Sequence, residues 1–251
     1  MKNSYLIILF SLFAINSYAQ NTRISDRNTI GWLAYNGTVR LNENWALHTE
    51  LQLRRDDLVS RPQQTLLRTG LNYTPNNKLS FRVGYALAET FNYGGIPLNN
   101  LGKQFTEHRS YQMATLSDKS GIFELSHRFM LEQRWIGRYS SPALSKEDEF
   151  IYMNRMRYMF RTNIPLKGKA IADKTPYLSV YDEIMIGFGK NVNENVFDQN
   201  RIAILLGYRF SPKLRIEGGF LNQSLQFSRE INGRNAFQYN NGLIITSSFV
   251  F

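Results

Sequence analysis

The sequence predicts an all-β fold, an antiparallel transmembrane β-barrel of twelve strands, with ten as the alternative. Three observations predict it. Apolar and polar side chains alternate over runs of about ten residues or more, where a soluble strand averages about five or six and a tilted bilayer crossing needs about 9–11. All seven prolines, from Pro62 to Pro212, fall between these runs or at their ends, where no ladder N–H is lost. Short turns also alternate with long polar connections, the pattern of a barrel with tight periplasmic turns and longer outer loops.

Residues 1–19 read as a secretory signal. Lys2 supplies the charged start, Tyr5 to Ile15 the apolar core, and Ser17-Tyr18-Ala19 the small-x-small cleavage pattern before Gln20. One barrel domain, 20–251, follows. Removing Lys2 lowers the formal charge from +10 to +9. The protein is then expected outside the inner membrane.

Alternation starts at Thr29 to Leu41, with Leu33, Tyr35, Val39 and Leu41 on one face. After Asn42-Glu43-Asn44, Trp45 to Leu53 oppose His48, Glu50, Gln52 and Arg54. Leu67, Thr69 and Leu71 then oppose Arg68 and Gly70, and Phe81, Val83 and Tyr85 oppose Arg82 and Gly84. A Gly/Asn-rich loop covers about 91–104, and 105–116 forms the next segment, with Ser117 to Ser120 read as its turn. Phe123 to Trp135 oppose Glu124, Arg128, Glu132 and Arg134, ahead of a polar loop at 136–150. Met156, Tyr158 and Phe160 oppose Arg155, Arg157 and Arg161, and Leu178 to Phe188 oppose Glu183. Ile202 to Phe210 oppose Arg201 and Arg209, and Leu214, Ile216 and Phe220 oppose Arg215 and Glu217. The last segment, 241–251, sets Leu243, Ile245, Phe249 and Phe251 on one face.

These make eleven segments. An antiparallel barrel with both ends on the periplasmic side needs an even number. A short strand at Thr22 to Ile30 would give twelve, and leaving the first segment outside the wall would give ten. Trp45, Tyr73, Phe81, Phe123, Phe210 and Phe251 stand at the short-turn ends, with Phe91, Trp135, Tyr152 and Phe188 at the others. They read as two aromatic girdles. A soluble β-sandwich would alternate too, but needs neither strands of this length nor two belts.

The totals exclude other classes. There is no Cys, hence no disulfide framework, thiol nucleophile or thiolate metal site. No run approaches the roughly 18 apolar residues of a spanning helix, and mean hydropathy is −0.36. Arg and Lys are spread among Glu along the whole chain, without the basic stripe of a nucleic-acid surface. The expected partners are outer-membrane lipid and the barrel-assembly machinery, with no nucleic acid and no cofactor; no ligand is specified.

The face opposite the aliphatic side chains carries the charge. Glu107, Arg109, Glu132, Arg134, Arg155, Arg157, Glu183 and Arg201 are the expected luminal network, Glu107 and Arg109 joining if their strand faces that way. One reading is a self-paired structural core, the other a narrow Arg-lined passage favouring small anions. The runner-up function is a lipid-modifying hydrolase. Its candidates are His108 and Ser110, two residues apart on one strand face, which would face lipid if Glu107 and Arg109 point inward. Tyr111 and Met113 would then point inward as well, so alternation leaves the facing of 105–116 open. There is no G-x-S-x-G elbow. The three histidines, His48, His108 and His127, fall on separate strands without metal-ligand spacing.

Glu107-His108-Arg109, Leu131-Glu132-Gln133-Arg134, Asp182-Glu183-Ile184 and Phe197-Asp198-Gln199-Asn200-Arg201 form an ordered set. With Gly207-Tyr208 and Leu221-Asn222-Gln223, that set resembles the domain-of-unknown-function 2490 family of Gram-negative bacteria. The resemblance implies a small outer-membrane β-barrel and no established activity. The terminal Phe251, closing an alternating strand, resembles the signal by which such barrels are handed to their assembly machinery.

Overall fold

Eleven β-strands close on themselves in the computed structural model, which describes residues 23–251. The expected signal segment lies outside the described residues. The strands are β1 (Ile24–Arg40), β2 (Trp45–Asp56), β3 (Arg61–Tyr73), β4 (Leu79–Thr90), β5 (Phe105–Ser120) and β6 (Phe123–Arg138). They continue as β7 (Glu149–Pro165), β8 (Thr175–Phe188), β9 (Phe197–Ser211), β10 (Leu214–Ile231) and β11 (Arg234–Val250). Each pairs antiparallel with its chain neighbour, and the ring closes between β1 and β11. An antiparallel all-β barrel is therefore the fold, as the alternation predicts.

The count corrects the expectation of twelve strands, or ten. Residues 24–30 form no separate strand. They run straight on into Gly31 to Arg40 as one strand of 17 residues. β1 then lies parallel to β11, Ile24 beside Ala236 and Thr38 beside Val250. A parallel seam removes the requirement for an even number. Parallel pairing is slightly weaker per residue than antiparallel pairing, and this seam runs nearly the full length of both strands.

Hydrogen-bonded partners followed round the wall from Ile151 pass through Ile136, Glu107, Ala88, Leu66, Gln52 and Ala34. They continue through Thr246, Glu217, Gly207 and Tyr177 to Pro165 on the starting strand. The stagger is 165 − 151, fourteen residues, which tilts the strands steeply across the barrel axis.

At one rim, the turn rim, residues 41–44, 74–78, 121–122, 166–174 and 212–213 connect the strands. The other, the loop rim, carries 57–60, 91–104, 139–148, 189–196 and 232–233. Side chains set the tight turns: Asn42 Oδ1 accepts from the N–H groups of Asn44 and Trp45, and Asn76 Oδ1 from those of Lys78 and Leu79. Ser117 to Ser120 are not a turn; they pair with Ser126 to Phe123. The chain reverses instead at Gly121, whose φ of 58° suits glycine.

Outside, Leu33, Leu67, Val83, Met156, Leu206 and Ile245 stand exposed as part of a continuous apolar belt. Trp45 stacks near Tyr73 at the turn rim, with ring centres 4.8 Å apart, and Trp135 near Tyr152 at the loop rim at 5.4 Å. Inside, the wall is divided. Ile30, Trp32, Ala203, Leu205, Leu221 and Ile244 make an apolar patch on β1, β9, β10 and β11. Charged and amide side chains line most of the rest, with Tyr111, Met113 and Met130 as a second apolar group.

Candidate functional site

The interior network is built from inward-facing residues of five consecutive strands, β5 to β9. On β5 the inward set is Glu107, Arg109, Tyr111 and Met113, all buried. That settles the facing the sequence left open. Glu107 accepts from Arg109 at 2.7 and 2.8 Å and from Arg134 of β6 at 2.5 and 3.2 Å. Arg134 lies 3.6 Å from Asp198 of β9, which Arg155 of β7 also reaches at 2.5 Å. Arg155 donates to Glu132 at 2.6 Å, and Glu132 accepts from Arg157 at 2.9 Å. Arg157 reaches Glu183 of β8 at 2.7 Å, where Arg128 also donates at 2.7 Å and Arg201 stands 3.7 Å away.

The eight residues singled out from sequence therefore stand in one continuous chain. Asp198 and Arg128 complete it. Six guanidiniums meet four carboxylates, a surplus of two positive charges. Each carboxylate touches at least two Arg, which offsets the desolvation cost that makes an isolated buried pair a weak stabiliser. Arg is the residue that fits, because its planar fork bonds two carboxylates at once. Asp198 was legible only as a motif letter: three residues before Arg201, alternation would turn it outward, and the register shift opposite Met185 and Ile186 turns it in. Two smaller clusters lie nearer the turn rim: Glu50 with Arg68 at 2.6 Å and His48 at 3.3 Å, and Glu217 with Arg161 and Tyr177.

Two cavities enter this interior. One, of about 450 Å³, opens at the loop rim and is lined by seven Arg against Glu107 and Asp198. The other, of about 790 Å³, opens at the turn rim and includes His48, Glu50, Arg68 and Arg128. They share no lining residue. Between them lies a layer containing Trp32, Tyr111, Glu132, Arg157 and Glu183, none of which lines either cavity. Sequence reasoning passed over Trp32, although alternation with Leu33 and Tyr35 places it inward.

The loop 91–104 folds into the loop-rim mouth. Tyr93 is buried and donates to Gln238 at 2.6 Å, while the Gly95 and Ile96 amides donate to Asp26 at 3.3 and 3.4 Å. Burial pushes the Tyr93 phenol up to about 12.

His108 and Ser110 face outward. The Ser110 hydroxyl donates to Gln133 Oε1 at 2.8 Å, and His108 Nδ1 is engaged by the Tyr85 hydroxyl. Neither bond joins serine to histidine. His127 is also outside, 2.8 Å from the Tyr158 hydroxyl, whereas His48 is inside. Among the described residues no three His, Asp or Glu side chains converge as metal ligands. Phe251 extends the seam: its N–H donates to Thr38 O at 2.8 Å, and its carbonyl accepts from Arg40 at 3.1 Å.

No curated protein matches this chain. A solved structure, a NanC porin in a rhombohedral crystal form, is similar at 12% identity with a TM-score of 0.47, covering 88% of this chain and 98% of that one. Residues 29–234, the wall from β1 to the first residue of β11, match the family described as protein of unknown function (DUF2490), and the chain belongs to that family.

Proposed function

We propose that the protein is an outer-membrane barrel that admits small anions into an arginine-rich interior and passes them at a low rate through its central layer. The surplus of Arg over carboxylate in the buried network carries this reading, because it leaves the interior positive with few fixed counter-charges. The apolar exterior between two aromatic rims supports the membrane placement, and a secretory segment at 1–19 would deliver the chain there. Phe251, paired into the seam and exposed to the outside, is proposed as the assembly signal. Planar-bilayer recording tests the reading. Small anion-selective conductance is expected. Cation selectivity contradicts it, and a silent but folded barrel leaves a structural role in its place.

A second reading is a lipid hydrolase, favoured by one observation: His108 and Ser110 both face the exterior. It requires Ser110 to leave Gln133 and take His108 as its base. Turnover of phospholipid or lipid A, abolished by Ser110→Ala in a folded barrel, would put this reading first.

A further inference from the structure

Two arginines of the loop-rim cavity are poorly matched by carboxylate: among the described residues, Arg54 has none within ion-pair distance and Arg201 only the shared Glu183. Arg54 on β2 is 6% exposed, and no Asp or Glu of the described residues lies within ion-pair distance of it. Its guanidinium donates to the carbonyls of Gln52 and Gln64 only, at 2.6–3.0 Å. Arg201 on β9 is 8% exposed, donates to Gln199 at 2.9 Å, stands 3.7 Å from Glu183, and keeps a buried Nε without any partner. Both guanidiniums lie over Trp32, at 4.0 and 5.1 Å from its ring centre. Both also line the cavity that opens at the loop rim.

A buried guanidinium is costly unless an opposite charge or a full set of acceptors meets it. Here neutral amides and one indole ring hold two of them. The indole attracts a cation through its ring, but it supplies no negative charge. Gln199 is already shared with Gln223, which donates to it at 2.8 Å, and Trp32 is fixed by its own bond to Gln63 at 2.8 Å. The pair is therefore held by its surroundings, with Glu183, 3.7 Å from Arg201 and shared with Arg128 and Arg157, as its one nearby carboxylate among the described residues.

We propose that Arg54 and Arg201, set on Trp32 at the floor of the loop-rim cavity, form a discrete binding site for the oxyanion of a small solute, carboxylate or phosphate. The site deepens the anion reading above and rests on it for the route of entry. An oxyanion there would take the free N–H groups of both forks, including the Arg201 Nε–H. The Gln side chains around it offer donors and acceptors to the body of the solute. Arg109 and Arg134 on the same cavity are occupied by Glu107, so they attract anions without holding one.

Trp32 reports the site directly. Trp45→Phe and Trp135→Phe leave it as the sole tryptophan of the barrel, purified in detergent. Its fluorescence is titrated with iodide, with caesium as the cationic counterpart and inorganic phosphate and acetate as competitors. Saturable iodide quenching is expected, displaced by phosphate or acetate and weakened at least tenfold by Arg54→Gln or Arg201→Gln. Whichever competitor acts at lower concentration names the preferred oxyanion. Arg201→Lys keeps the charge and serves where a Gln variant does not fold: a several-fold weaker but saturable response is expected. Non-saturable quenching, equal quenching by caesium, or variants that respond as wild type overturn the site. Anion-selective conductance without saturable quenching would remove the site and leave the passage. Saturable quenching in a barrel that does not conduct would do the reverse.

Discussion

The Tyr111 hydroxyl lies in the space that a side chain at Gly84 would occupy. A Cβ built there stands 2.6 Å from Tyr111 Oη and 2.7 Å from its Cζ, and one at Gly70 stands 2.7 Å from the same hydroxyl. Tyr111 leans from β5 across β4 to β3, donating to Thr69 O at 3.1 Å, with Arg68 over its ring at 5.5 Å. Two strands lack side chains at the level where a third projects a large one inward.

Gly84→Ala should therefore press on both Tyr111 and the Thr69 carbonyl of the paired strand, straining the β3–β4 ladder together with the central layer. Overpacking of this kind costs about 1–3 kcal/mol. The temperature at which heat-modifiable gel migration is lost should fall accordingly. An unchanged temperature would show that both give way freely.

The two central carboxylates should differ. Without Glu132, Arg155 keeps Asp198 and Arg157 keeps Glu183. Without Glu183, Arg157 keeps Glu132, but Arg128 and Arg201 keep no carboxylate within ion-pair distance among the described residues. Glu183→Gln should cost about 3–5 kcal/mol where water is excluded, and Glu132→Gln clearly less. Thermal unfolding of the two variants measures the difference. Equal losses would mean that water, rather than carboxylate, satisfies Arg128.

The loop 91–104 should let go in alkali. Burial raises the Tyr93 phenol from 10.0 to about 12, so the docked loop favours the neutral form. A released tyrosine ionises near 10, so docking is complete below about 10 and is lost as pH rises towards about 12. Ultraviolet absorbance of phenolate, followed with protease cleavage in the loop, should show both events together. Tyr93→Phe, which cannot ionise, should stay protected at about pH 11. Cleavage of that variant at the same pH as wild type would assign the release to another group.

Asp182 is exposed on the outer wall between Phe160 and Ile202, and accepts from Asn200 at 2.5 Å. On the membrane placement proposed above, a carboxylate there is a liability, so Asp182→Leu should raise stability by about 1 kcal/mol. Unfolding in lipid vesicles measures it. A loss of stability would place a polar partner against that part of the wall.

Much of the wall was legible because its two faces differ in chemistry. Leu51 and Leu53 against Glu50 and Arg54, or Met156 and Tyr158 against Arg155 and Arg157, leave one choice of facing. On β5 both faces are mixed, and alternation could not decide. What decides is the room that Gly70 and Gly84 leave for Tyr111 on neighbouring strands, a complementarity no single segment displays. The network was legible as a set of inward charges, but its continuity depends on Asp198, which a register shift in β9 turns inward out of phase with Arg201 and which joins a partner two strands away. The apolar inner patch was not legible, since Ile30, Leu205 and Leu221 look like lipid-facing residues out of phase. The strand number failed for a similar reason: the direction of the closing pair is a property of the assembled ring.

That closing pair also separates the two ends of the barrel wall. β1 starts at the loop rim and β11 finishes at the turn rim, so these two strand ends lie on opposite sides of the wall, with an apolar band between them that the proposed membrane placement puts at about 25 Å. An epitope placed just ahead of Ile24 would be displayed beside the long loops, and one placed after Phe251 on the far side. A circularly permuted barrel could not use a short joint between the old ends. Its linker would have to run the height of the wall, through the charged interior or across the apolar outside.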